Sequence, residues 1–104
     1  MIHTDKCFYC GIQLDERNFT RDHVVPKVNG GKDKVNKLVP CCKSCNSTKR
    51  HRTIEEFRGI MVRREFYQRT GVKFDKDQVA YLESIGVKLD FRPHTFFFEV
   101  ENLG

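Results

Sequence analysis

The chain has 104 residues, five of them cysteine, with 38% hydrophobic residues and 19 Lys and Arg against 14 Asp and Glu, a formal net charge of +5. That length suits a single domain spanning residues 1–104 with a modest core, a size at which a metal cross-link is a common reinforcement. With no apolar run of 18 residues and no signal-like stretch at residues 1–6, we expect neither a membrane span nor a secreted disulfide framework, and we place the protein in the cytoplasm, inside a host cell if it is phage-encoded.

Taken in order, Cys7-Phe8-Tyr9-Cys10-Gly11 reads as a knuckle, two thiols on a tight turn with Gly11 free to take a positive φ. Cys42-x-x-Cys45 repeats the spacing, and together the pairs supply the four soft ligands of a structural zinc site. A redox dithiol is the rival reading. Cys41 is the spare, because only Cys42 stands two residues from Cys45. The 31 residues between the pairs leave room for an inserted hairpin. Phe19–Val25 has strand character, closed by Pro26; Asn29-Gly30-Gly31 signals a turn; Val35–Val39 is the return strand, ending at Pro40. Lys27, Lys32, Lys34 and Lys37 decorate this excursion.

A short helix from Lys43 to about Arg50 carries Cys45, Asn46 and Lys49, the last two on a shared face. Thr53-Ile54-Glu55-Glu56 is a capping box that starts a helix running to about Thr70 and stopping at Gly71. Phe57, Ile60, Met61 and Tyr67 form its expected core stripe, with Ile54, Arg64 and Phe66 flanking it. Asp75-Lys76-Asp77-Gln78 starts a shorter helix that turns Val79, Leu82 and Ile85 inward and ends at Gly86. Thr95–Val100, with three consecutive phenylalanines, reads as a terminal strand.

Residues 1–52 hold 11 basic and 5 acidic residues, and residues 53–104 hold 8 and 9, so the charge lies with the cysteines. A polyanion is the partner such a half would meet. Within it sits Asp22-His23. Phosphodiester hydrolysis needs a base near neutral pKa, which histidine supplies at about 6.5, and a cation to neutralise the phosphoryl group, which a carboxylate can hold. Adjacent residues of a regular strand point to opposite faces, so both reach one phosphate only if the backbone bends or they approach it from different sides.

The order Cys7-x-x-Cys10, Asp22-His23-x-x-Pro26, Asn36, Cys42-x-x-Cys45-Asn46-x-x-Lys49 resembles the zinc-stapled branch of the HNH endonucleases, over about residues 5–57. The resemblance implies an α+β fold: a small treble-clef-like ββα-metal core stapled by zinc at Cys7, Cys10, Cys42 and Cys45, here followed by two C-terminal helices and a terminal strand over residues 58–104. It implies His23 as general base, Asn36 as the brace of its loop, and Asp22 with Asn46 as ligands of a single Mg²⁺ or Mn²⁺, which makes this a His-Asn-Asn variant. Lys27, Lys49, Arg50 and Arg52 are expected phosphate contacts, and His51 is expected to be no ligand. His3 and His94 lie outside the motif.

The function expected is metal-dependent hydrolysis of DNA, most readily double-stranded, by nicking or double-strand cleavage, with a homodimer or a partner subunit open. A non-catalytic zinc module that binds nucleic acid is the alternative. A weaker third reading is a protein-interaction domain using the phenylalanine-rich C-terminus.

Overall fold

Among the described residues two knuckles, a pair of strands and four helices are found. The computed structural model describes residues 6–24 and 38–103. The expected strand ends at Val25 and Val35–Lys37, the Asn29-Gly30-Gly31 turn, His3, and the candidate residues Lys27 and Asn36 lie outside the described residues.

Strands β1 (Phe19–His23) and β2 (Leu38–Cys42) pair antiparallel, with Arg21 opposite Pro40, Asp22 opposite Val39 and His23 opposite Leu38. β2 does not stop at Pro40 as expected. A proline is tolerated at a sheet edge, where the missing N–H leaves no ladder bond unmade, and here its carbonyl accepts the Phe8 N–H at 2.9 Å. The strand therefore runs to Cys42, which caps helix α1 (Lys43–Lys49) by accepting the Cys45 N–H. Helix α2 (Ile54–Thr70) starts on the expected capping box, with Thr53 and Glu56 exchanging side-chain and backbone bonds at 2.9 and 3.1 Å. Helix α3 (Lys76–Ser84) starts on the Asp75–Gln78 box, and Gly71 and Gly86 follow α2 and α3 at φ 78° and 89°.

The chain divides into two compact units, Met1–Phe57 with Thr95–Gly104, and Arg58–His94. In the first, Tyr9, Phe57 and Phe96 are buried and meet ring to ring at 5.0–5.8 Å. In the second, Phe66 is buried against Phe74 and Phe91. The expected single stripe on α2 is corrected accordingly. The helix serves two cores, Phe57 in one and Phe66 in the other, and Tyr67 is left 47% exposed. Ile85, the residue that ends α3, is likewise 57% exposed rather than turned inward. No described helix is long and apolar enough to cross a membrane.

The α+β class holds, with one correction: the expected terminal strand is helix α4 (Phe97–Leu103). Three aromatic residues in a row favour a strand locally, but the N-terminal amides of this segment find helix-type partners. Phe96 N–H donates to the Glu99 carboxylate at 2.8 Å, and Phe97 and Phe98 N–H donate to the carbonyls of Tyr9 and Phe8. α4 is thereby seated on the first knuckle. Gly11 makes that seat possible. It sits at φ 79°, and a Cβ there would come 2.6 Å from Phe97 Cδ1. Gly11→Ala should destabilise the protein by about 2–4 kcal/mol, from the left-handed backbone and the clash together, read as a lowered midpoint in thermal unfolding.

Candidate functional site

Each knuckle folds the same way: the second cysteine's N–H points back at the first cysteine's sulfur, Cys10 to Cys7 at 3.5 Å and Cys45 to Cys42 at 3.4 Å. Gly11 N–H closes the first turn on the Cys7 carbonyl, and the second turn is the start of α1. The sulfurs of Cys7, Cys10, Cys42 and Cys45 all lie within 4.8 Å of one another, with Cys10 and Cys42 at 3.8 Å. A tetrahedral zinc with bonds of about 2.3 Å requires sulfurs about 3.8 Å apart, so donor set and spacing both fit zinc. The cluster already favours a thiolate: a hydrogen bond from Cys45, with backbone N–H groups helping, pulls the Cys7 thiol down to about 4 against the effect of burial. The same bond pushes Cys45 up. Cys41 stands apart, buried beside the Thr20 hydroxyl at 3.3 Å and pushed up to about 11 by burial, as an inert thiol would be.

From the cluster the chain passes to Asp22-His23 on β1. The regular strand puts them on opposite faces, Asp22 buried and His23 half-buried. Asp22 Oδ2 accepts the Tyr9 hydroxyl at 2.6 Å and pairs with Lys49 Nζ at 3.0 Å. Burial, and then donation to Asp22, hold the Tyr9 phenol above its ordinary range, so it stays a donor. Lys49 Nζ also donates to the His23 carbonyl at 3.0 Å. One ammonium from α1 therefore latches the Asp22 side chain and the His23 backbone together.

This corrects the expectation for Lys49. It is 0% exposed and tied between Asp22 and the His23 carbonyl, because it lies one helical turn after the inward-facing Cys45. That i, i+4 relation to a cysteine of the cluster is the sequence signal that would have placed it inside. Tyr9, the partner of Asp22, sits between the first two cysteines and went unremarked for want of any local signal. Asn46 is half-buried, its Nδ2 3.5 Å from the Arg21 carbonyl, which places it beside β1.

Past Lys49 the chain turns sharply. Arg50 takes φ 53°, a strained region for a residue with a side chain, while its N–H bonds the Asn46 carbonyl at 2.8 Å. The turn delivers Arg50, His51 and Arg52 to the surface, where with Glu56 they line a shallow cleft of about 410 Å³. Among the described residues, the exposed cations that follow the site are thus these arginines rather than Lys49.

A model of the family described as HNH endonuclease matches residues 7–60, a span holding both knuckles, Asp22-His23 and Asn46. The chain belongs to the HNH endonuclease family. It is also similar to the "SPbeta prophage-derived putative HNH endonuclease YoqL" of Bacillus subtilis (strain 168), at 31% identity over 64 residues. That match covers 51% of this chain and 26% of the relative, so the chain spans about a quarter of that protein's length. The residues outside 7–60 are not part of the family match.

Proposed function

We propose that the protein is a metal-dependent endonuclease that hydrolyses DNA phosphodiester bonds, most readily in duplex DNA, as one nuclease domain in an intracellular setting. The observation that carries this reading is the Asp22-His23 pair on β1, latched to α1 beside the four-cysteine cluster. Zinc at Cys7, Cys10, Cys42 and Cys45 holds β2 and α1 against the first knuckle and takes no part in the chemistry. His23 removes the proton of the attacking water. Its strand is regular and its carbonyl is tied down, so the imidazole is presented from a fixed backbone. Asn36 braces the loop beyond it.

Among the described residues only Oδ2 of Asp22 is engaged, which leaves Oδ1 as a hard oxygen donor. With the Asn46 side-chain carbonyl it makes a donor pair suited to Mg²⁺ or Mn²⁺. Bound there, the cation would neutralise charge on the phosphoryl group and the leaving oxygen. Arg50 and Arg52, with Lys27, hold the phosphate backbone and give affinity without sequence information. Cutting both strands calls for two such centres, as in a homodimer or with a partner subunit, or for two successive nicks.

Incubation with plasmid under Mg²⁺ or Mn²⁺ tests the reading. His23→Ala should lower the rate about 10²- to 10⁴-fold, the usual contribution of a general base. Equal cleavage by both proteins would overturn the role of His23. The engagement of Asp22 by Lys49 and Tyr9 favours a second reading, a zinc module that binds nucleic acid without cutting it. DNA binding with no cleavage under any divalent metal would select that one.

A further inference from the structure

We propose that a cleft in the second unit binds one unpaired nucleotide of a nucleic-acid strand, its base stacked on Tyr67 and its phosphates held by Arg63, Arg64 and Lys73. The cleft has a volume of about 350 Å³ and is lined by Ile60, Arg63, Arg64, Tyr67, Lys73, Phe74 and Asp75. Apart from Ile60, its lining lies outside the residues that match the family. The inference rests on the nuclease reading only for the class of ligand, nucleic acid.

Three observations converge on this cleft. The first is charge. Two arginines of the unit are spent on the fold: Arg69 forks onto Glu65 at 2.9 and 3.0 Å, and Arg58 donates to the His94 carbonyl. Arg63, Arg64 and Lys73 have no ion-pair partner among the described residues. The one acid on the rim, Asp75, is engaged as the cap of α3, accepting the Gln78 N–H at 2.8 Å. The second is the exposed aromatic. Tyr67 is about half exposed, while Phe74, which also lines the cleft, is fixed against buried Phe66 at 6.0 Å. The third is shape. A concave site of this size admits one nucleotide, whereas a duplex keeps its bases stacked on each other and would offer the ring nothing. Cations that track phosphates beside an aromatic platform are how single strands are bound.

The test is binding of a fluorescent oligothymidylate and of a duplex of equal length, in the His23→Ala background so that neither is cut. Arg63→Ala/Arg64→Ala should weaken the single strand at least tenfold and reduce its salt slope by about 1.4, two phosphates at about 0.7 each. Tyr67→Ala should weaken the single strand about tenfold with the slope unchanged, Tyr67→Phe should restore it, and the duplex should not respond to either. Arg63→Gln/Arg64→Gln replaces the alanine pair should that pair melt early. Unchanged affinity and slope in all these variants would overturn the site, as would equal losses on the duplex with Tyr67→Ala. Competition by thymidine monophosphate as effective as by the strand would assign the cleft to a free nucleotide and overturn the strand. Each of these outcomes is independent of whether the wild type cleaves.

Discussion

Cys10→Ser should abolish zinc binding and the cooperative thermal unfolding of the first unit, although Cys10 is the exposed member of the cluster. Packing does not account for a loss of that size, since an exposed side chain contributes little apolar burial. The metal does. Structural zinc binds small sites with an apparent 10–16 kcal/mol at neutral pH, roughly the entire stability of an ordinary domain. The unit that depends on it has a core of three rings, Tyr9, Phe57 and Phe96, with Leu14 and Val39 beside them. Apart from the sulfurs, β2 and α1 meet the first knuckle through few contacts that the structure describes, the Phe8 N–H on the Pro40 carbonyl and Lys49 over the Tyr9 ring. Cys41→Ala supplies the contrast. Cys41 is fully buried but stands outside the cluster, so its loss should cost only about 1–2 kcal/mol and leave one zinc per chain. The measurements are zinc content of purified protein and the melt followed by circular dichroism, with a chelator added to wild type as the third arm. A zinc-free Cys10→Ser protein that melts like the wild type would refute the staple.

What the sequence made legible is what short-range chemistry decides. The knuckles are recognisable because the ligand type and the two-residue gap are local facts, and the four sulfurs do converge. Thr53/Glu56 and Asp75/Gln78 mark helix starts for the same reason: each box closes within four residues. What stayed hidden was settled by residues distant in the chain. Phe96-Phe97-Phe98 has strand propensity, and the deciding partners of its amides are the carbonyls of Phe8 and Tyr9, nearly ninety residues earlier. The choice of Phe66 over Tyr67 as the buried ring follows from α2 serving two cores, and a stripe read along one helix contains no trace of that. The chemistry of the candidate site shows the same split. Asp22 and His23 are visible as types, and their opposite facing follows from strand alternation. Which groups would meet the carboxylate inside was not visible.

Lys49→Met and Asp22→Asn should each destabilise the protein by about 3–5 kcal/mol, and the double variant by clearly less than the sum. The pair is 0% and 6% exposed with 3.0 Å between Nζ and Oδ2. Removing Lys49 leaves a carboxylate in the interior with only the Tyr9 hydroxyl; removing the Asp22 charge leaves a buried ammonium with neutral acceptors and no counter-charge. An uncompensated buried charge is what makes each single change severe, whereas a neutral pair leaves none. A surface phosphate contact behaves in the opposite way. Were Lys49 such a contact, its loss would leave the melt unchanged and lower the salt slope of duplex binding by about 0.9. Unfolding in denaturant and a salt titration of DNA binding therefore separate the two roles. The latch also bears on catalysis. Because the same ammonium holds the His23 carbonyl, Lys49→Met should depress cleavage even where the variant is fully folded, by loosening the strand from which the imidazole is presented. Lys49→Arg tests that point from the other side. A guanidinium keeps the charge, but its wider planar fork does not fit a slot shaped for one ammonium between Oδ2 and a carbonyl, so it should recover only part of the stability and less of the cleavage.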